Sequence, residues 1–146
     1  MTSRTEVEAQ INARLKRTGI AETLTLPRTS DGCATPHVEG EAAPFDFVVA
    51  ERGKELRRES GLDADGLAYL VIRSRLYSYV LKLEAGTRGQ LGYSRKSWID
   101  ALIVMMGRAD PAWGHRVAEE FEDILRLDLT EEEHRVARSL PLPAVD

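Results

Sequence analysis

The residues of this chain that could make or break bonds are three histidines, one cysteine and a glycine-rich stretch. His37, His115 and His134 have the right side chain for proton transfer or metal ligation. Either role needs a partner at fixed spacing, such as a second His one helical turn away, a Cys pair or a nucleophile. No His-x-x-x-His pair occurs, and the nearest approach to a constellation is His37 close to Glu39, with Glu51 as a further carboxylate. Cys33 is the only cysteine, so neither an intrachain disulfide nor a structural zinc site can form. Gly86-Thr-Arg-Gly-Gln-Leu-Gly92 carries three glycines, but it follows a helical pattern rather than a strand. It also lacks the Gly-Lys-Ser or Gly-Lys-Thr ending that meets phosphates, and reads as an interhelix connector. Residue chemistry therefore nominates no catalytic residue, no metal ligand and no cofactor.

Charge is more informative. Hydrophobic residues at 42% and charged residues at 30% are ordinary globular values, with no apolar run of about 20 residues that could span a bilayer. The first 17 residues contain no apolar stretch of the kind a secretory signal needs, so a cytoplasmic location is expected. A net charge of −4 argues against a general nucleic-acid binder, which gains its affinity from Lys and Arg on phosphates. The distribution is uneven: residues 1–118 sum to +2, residues 119–133 to −7 and residues 134–146 to +1. On one continuous helix Glu119, Glu122 and Asp123 project together, near Glu120 and opposite Phe121. Such a run is ordinarily a solvated face, yet a field this concentrated also steers an oppositely charged partner. The pairs Arg57-Arg58, Lys16-Arg17 and Arg95-Lys96 have no interleaved aromatics and read as solvated surface.

These residues need elements to position them. Ser3-Arg-Thr-Glu6 has the form of a capping box, and Val7, Ile11 and Leu15 recur every four residues until Gly19 stops the helix. Residues 24–44 are loop-like, with a short strand at His37-Val-Glu39. Residues 45–50 alternate as a central strand, with Phe45, Phe47 and Val49 on one face. Gly53 in a left-handed conformation turns the chain back into residues 54–60, which hold one apolar residue, Leu56, and form a charged sheet edge. Arg52 lies at the tip, and Glu55, Arg57 and Glu59 alternate along the edge, a second candidate surface for a partner.

Asp63 and Asp65 open a largely apolar helix from Leu67 to Leu83 that ends at Gly86, and a further helix runs from about Ser94 to a stop at Gly107. Trp98, Leu102 and Met105 or Met106 form its buried stripe. Asp110-Pro111 caps the next helix, whose stripe is Trp113, Val117, Phe121 and Ile124. Thr130-Glu-Glu-Glu133 opens a short last one.

The order of these segments is similar to a known pattern. Thr35-Pro-His37-Val-Glu39, then Phe45-Asp-Phe-Val-Val-Ala-Glu-Arg-Gly-Lys-Glu-Leu56, then Leu67-Ala-Tyr-Leu-Val-Ile72, then Asp110-Pro-Ala-Trp113 leading into Glu119-Glu-Phe-Glu-Asp-Ile-Leu125, resembles the immunity protein 63 family of bacterial polymorphic toxin systems. The resemblance spans residues 35–125. It departs from the family pattern around residues 83–96, where Lys82-Leu-Glu-Ala-Gly and Ser94-Arg-Lys-Ser replace a Tyr-Glu-Leu segment and a paired arginine run. It implies a cytoplasmic protein that binds and neutralises a cognate toxin, without catalytic residues of its own. A basic toxin, such as a nuclease, would suit the acidic segment.

The expectation is a single α+β domain over residues 1–146. It has a small antiparallel meander packed against three to five helices, with residues 140–146 as a flexible tail. The competing functional reading is a regulatory or adaptor domain that binds a protein without inactivating it. An enzyme built on His37 and its neighbouring carboxylates comes third.

Overall fold

The computed structural model describes residues 1–145. It has a three-stranded antiparallel sheet and helices distributed on both sides of it in sequence, an α+β fold. Its residues gather into two compact units: Met1–Leu15 with Ala21–Ser74, and Lys16–Ile20 with the chain from Arg75 onward.

The first unit holds the sheet. Helix α1 (Arg4–Arg17) starts at Ser3, whose hydroxyl oxygen accepts from the Glu6 amide at 3.1 Å. The Glu6 carboxylate takes the Ser3 hydroxyl at 3.2 Å, a variation on the expected box. Val7, Ile11 and Leu15 are its buried stripe. Strands β1 (His37–Glu39), β2 (Phe45–Glu51) and β3 (Lys54–Leu62) lie in the order β1-β2-β3, so β2 is central and β3 an edge. Phe45, Phe47 and Val48 are fully buried, each contributing roughly 1.5–3 kcal/mol by leaving water.

Carbonyls on both sides of β1 and within it converge on Arg4. Its guanidinium is 5% exposed and donates to the carbonyls of Val38 (2.7 Å), Gly40 (3.0 Å), Leu26 (2.9 Å) and Pro27 (3.0 Å). A buried polar group persists only when it is bonded, and here one guanidinium is shared among four carbonyls, that of Pro27 also accepting from the Val38 amide at 2.9 Å.

Helix α2 (Ala64–Arg88) begins where Asp63 accepts from the Gly66 amide at 2.7 Å, and Asp65 stands in its first turn. It does not end at Gly86. A side chain there would meet open space, so the glycine imposes no break, and the last turn is held by the buried Glu84, which takes Arg88 from its own helix and Arg138 at 2.9 Å.

The second unit contains the later part of α2 together with α3 (Arg95–Ala109), α4 (Pro111–Glu120), a π-helical turn (Ile124–Asp128) and α5 (Glu131–Val136). Gly107 is no stop either. Helix α3 runs through it because Gly107 meets Gly114 of α4, where a β-carbon would fall 2.8 Å from the Gly107 α-carbon. The two glycines let the backbones cross in contact. Asp110 caps α4 through the Ala112 amide at 3.0 Å, with Pro111 behind it. Thr130 and Glu133 form the complete capping box of α5. Leu140 is buried and Arg108 donates to the Pro143 carbonyl at 2.8 Å, so the stretch named as a tail carries packing at those points; Asp146 lies outside the described residues.

Candidate partner-binding surfaces

The hairpin surface is shaped by a turn and two bulges. Glu51 pairs with Lys54 across a two-residue loop in which both Arg52 (φ 51°) and Gly53 (φ 79°) are left-handed, the primed turn whose twist suits a hairpin. Arg52 is exposed at the tip. Along β3, Glu55 faces Ala50 while Arg57 faces Val49, leaving Leu56 as the extra residue of a bulge. A second register shift falls near Gly61, with φ 70°. The first bulge overturns the regular alternation expected from the sequence. Arg57 and Glu59 stay on the Phe47 side, paired at 2.8 Å, with Arg57 5.4 Å from the Phe47 ring centre. Glu55 is carried to the opposite face.

There it joins a cluster that sequence reading passed over as solvated surface. Arg58 binds Glu55 (2.8 Å), Asp46 (2.6 Å) and Glu39 (2.9 Å), one carboxylate from its own strand, one from β2 beside it and one from β1 beyond. These partners raise the guanidinium's affinity for its proton, Glu55 most. Arg58 in turn holds the Glu55 and Glu39 carboxyls below the usual range, with His37 as a second influence on Glu39. A signal did exist: with β1, β2 and β3 in antiparallel register, Glu39, Asp46 and Arg58 fall on one face.

His37 is buried, its Nε2 lies 3.1 Å from the Glu39 carboxylate, and its Nδ1 has no partner among the described residues. The His37–Glu39 proximity noted in sequence is therefore real. The carboxylate beside it is engaged by Arg58, an arrangement that orients side chains without presenting a nucleophile. His115, His134 and Cys33 are exposed. Among the described residues, no group of three or more His, Cys, Asp or Glu side chains could hold a metal ion. A cleft of about 360 Å³ lies in the second unit, lined by Lys96, Ser97, Asp100, Val104, Arg138 and Leu140 among others, away from any histidine.

The acidic segment is divided. Helix α4 ends at Glu120, and Phe121 (φ −100°, ψ 5°) interrupts the helical run before the π turn begins, so Glu119 and Glu120 are separated from Glu122 and Asp123 by a break the sequence pattern did not show. All four are exposed. Phe121 is buried as expected, and Ile124 only partly so. Downstream, the charge is consumed internally. Arg95 binds Glu133 at 2.7 Å and Asp128 at 2.9 Å, Arg135 holds Glu132, and Asp123 lies 3.7 Å from Arg126. The Arg95 guanidinium draws the Glu133 carboxyl down to about 2. Glu119 and Glu122 stand exposed at the α4 end of the segment. No helix among the described residues is long and apolar enough to cross a membrane.

A family model described as immunity protein 63 matches residues 41–123, from just before β2 to the acids after α4, more than half of the chain. The α+β architecture and this match define an immunity protein directed against a toxin. The chain belongs to the immunity protein 63 family. The Pro-His-Val-Glu segment that entered the resemblance lies outside the matched span. No match was found among curated proteins or among solved structures.

Proposed function

We propose that this protein acts in the cytoplasm as a stoichiometric inhibitor, neutralising a cognate toxin by binding it rather than by any chemistry of its own. The family match over residues 41–123 carries this reading. Two surfaces inside that span support it. Glu119, Glu120, Glu122 and Asp123 form an exposed acidic group suited to steering a basic toxin, for instance a nuclease, into encounter. The hairpin offers Arg52, Glu55, Arg57 and Glu59. Of these, Arg52 is the strongest contact candidate, because an arginine at a left-handed position costs stability that Asn or Gly would spare, and such strain collects at functional sites.

Co-expression in a sensitive cell of the C-terminal region encoded by the neighbouring reading frame, with and without this protein, tests the reading. Rescue together with a one-to-one complex on pull-down is the expected result. Toxicity that persists, or a partner that is bound but retains full activity, would instead favour an adaptor. Reversal of Glu119, Glu122 and Asp123 to Lys should slow association about tenfold or more at low salt and flatten its salt dependence.

A further inference from the structure

Charge sets how often two proteins meet, while residence depends on a few aromatic or arginine anchors. The second unit contains such a group beside the acidic segment. Trp98 of α3 meets Tyr77 of α2 edge-on at 5.4 Å and Phe121 at 5.6 Å, and its indole donates to the Tyr93 hydroxyl at 3.0 Å. The Arg88 guanidinium lies 4.7 Å from the Tyr93 ring centre. Trp98 and Phe121 are buried, but Tyr77 is 37% exposed and Tyr93 44%. The two tyrosines are thus surface rings held from beneath by a buried tryptophan, with little side-chain freedom left to lose on binding. The π-helical turn that follows Phe121, a geometry common at functional sites, leaves Leu127 73% exposed.

We infer that Tyr77 and Tyr93, backed by Trp98 and Phe121, anchor the toxin, and that the occupant is a basic segment whose Lys or Arg side chain lies over the Tyr77 ring, Arg88 already stacking on Tyr93. This rests on the immunity reading above. Charge complementarity selects the occupant. Phe121, which touches Trp98, sits in sequence between Glu119-Glu120 and Glu122-Asp123. An acidic partner would be repelled, and a second copy of this chain would set the same acids against each other. A cation is attracted both by these carboxylates and by the exposed face of Tyr77.

The test uses the full chain and the C-terminal region encoded by the neighbouring reading frame, with dissociation followed by surface plasmon resonance and footprinting by hydrogen exchange. Tyr77→Lys, at an exposed helical position, should speed dissociation about 100-fold. Tyr93→Phe, which keeps the ring, should change it less than about threefold, and Tyr93→Ala should resemble Tyr77→Lys. Protection in the complex should cover residues 88–95 and 119–128. Circular dichroism melts identify any variant that fails to fold, and the footprint on the unsubstituted protein then decides alone. If the unsubstituted protein binds and rescues cells but Tyr77→Lys dissociates at the same rate, or the footprint falls on residues 51–59 instead, the anchor is overturned while the immunity reading stands. If the unsubstituted protein neither binds nor rescues, the immunity reading fails and the anchor falls with it.

Discussion

The β2–β3 hairpin and the stretch from residue 119 to 133 are both dense in charge, but they dispose of it differently. On the hairpin the two arginines of β3 have their anions: Arg58 gathers Glu39, Asp46 and Glu55, Arg57 takes Glu59, and bulges twist the edge away from strand pairing. In the acidic stretch the far half is neutralised by Arg95 and Arg135, whereas the α4 end is not matched in number by cations. Charge density alone therefore does not mark a binding surface. The informative quantity is how each exposed charge is held: Arg52 at a strained turn on the hairpin, and the exposed Glu119 and Glu122 at the end of α4.

That contrast can be broken from the inside. Gly114→Val should have the largest effect, roughly 3 kcal/mol or more of lost stability, because its side chain would collide with the Gly107 backbone beneath the acidic segment. Chemical denaturation would show it as a lower midpoint. In the sheet unit, Arg4→Met should cost roughly 2–3 kcal/mol by removing the buried donors that four carbonyls share, and Arg4→Lys should rescue it poorly because an ammonium cannot span them. Melting temperatures of the two variants would compare directly.

Glu133→Gln sharpens the division within the acidic stretch. The Glu133 carboxyl is lowered from 4.5 to about 2, so its contribution is fully present above pH 4.5, shrinks as pH falls below that, and is gone below about pH 2. The unsubstituted protein should lose stability across that window, and the variant should show a flatter acid limb with a deficit of roughly 1–2 kcal/mol at neutral pH. Reversing Glu119, Glu122 and Asp123 together should move stability by no more than about 0.5 kcal/mol each. The hairpin tip offers an effect of the opposite sign. Arg52→Asn relieves a left-handed arginine and should stabilise by about 0.5–1 kcal/mol while weakening toxin binding. A stabilised variant with unchanged affinity would remove Arg52 from the interface.

Much of the architecture was readable from local chemistry. The hairpin turn, the Asp110-Pro111 cap and the Thr130 capping box each depend on a few adjacent residues, and each formed as the pattern required. The failures share a cause, since they turn on contacts distant in sequence. Gly86 and Gly107 resemble helix stops until Arg138 is seen holding Glu84 and Gly114 is seen against Gly107. Of the candidate surfaces, the residues were legible but their grouping was not. A one-residue bulge at Leu56 sent Glu55 to the face of Arg58, and an irregular turn at Phe121 falls inside the acidic run that the sequence reading took as one continuous helix.

The Gly107–Gly114 crossing has a consequence for engineering. Helices in backbone contact at one point are fixed there by the absence of side chains, which leaves the outward positions of α4 free of any part in that joint. A library that randomises Ala112, His115, Arg116, Glu119 and Glu120 while retaining both glycines should keep a folded framework in most members. Recognition of new toxins could then be selected without rebuilding the scaffold that displays it.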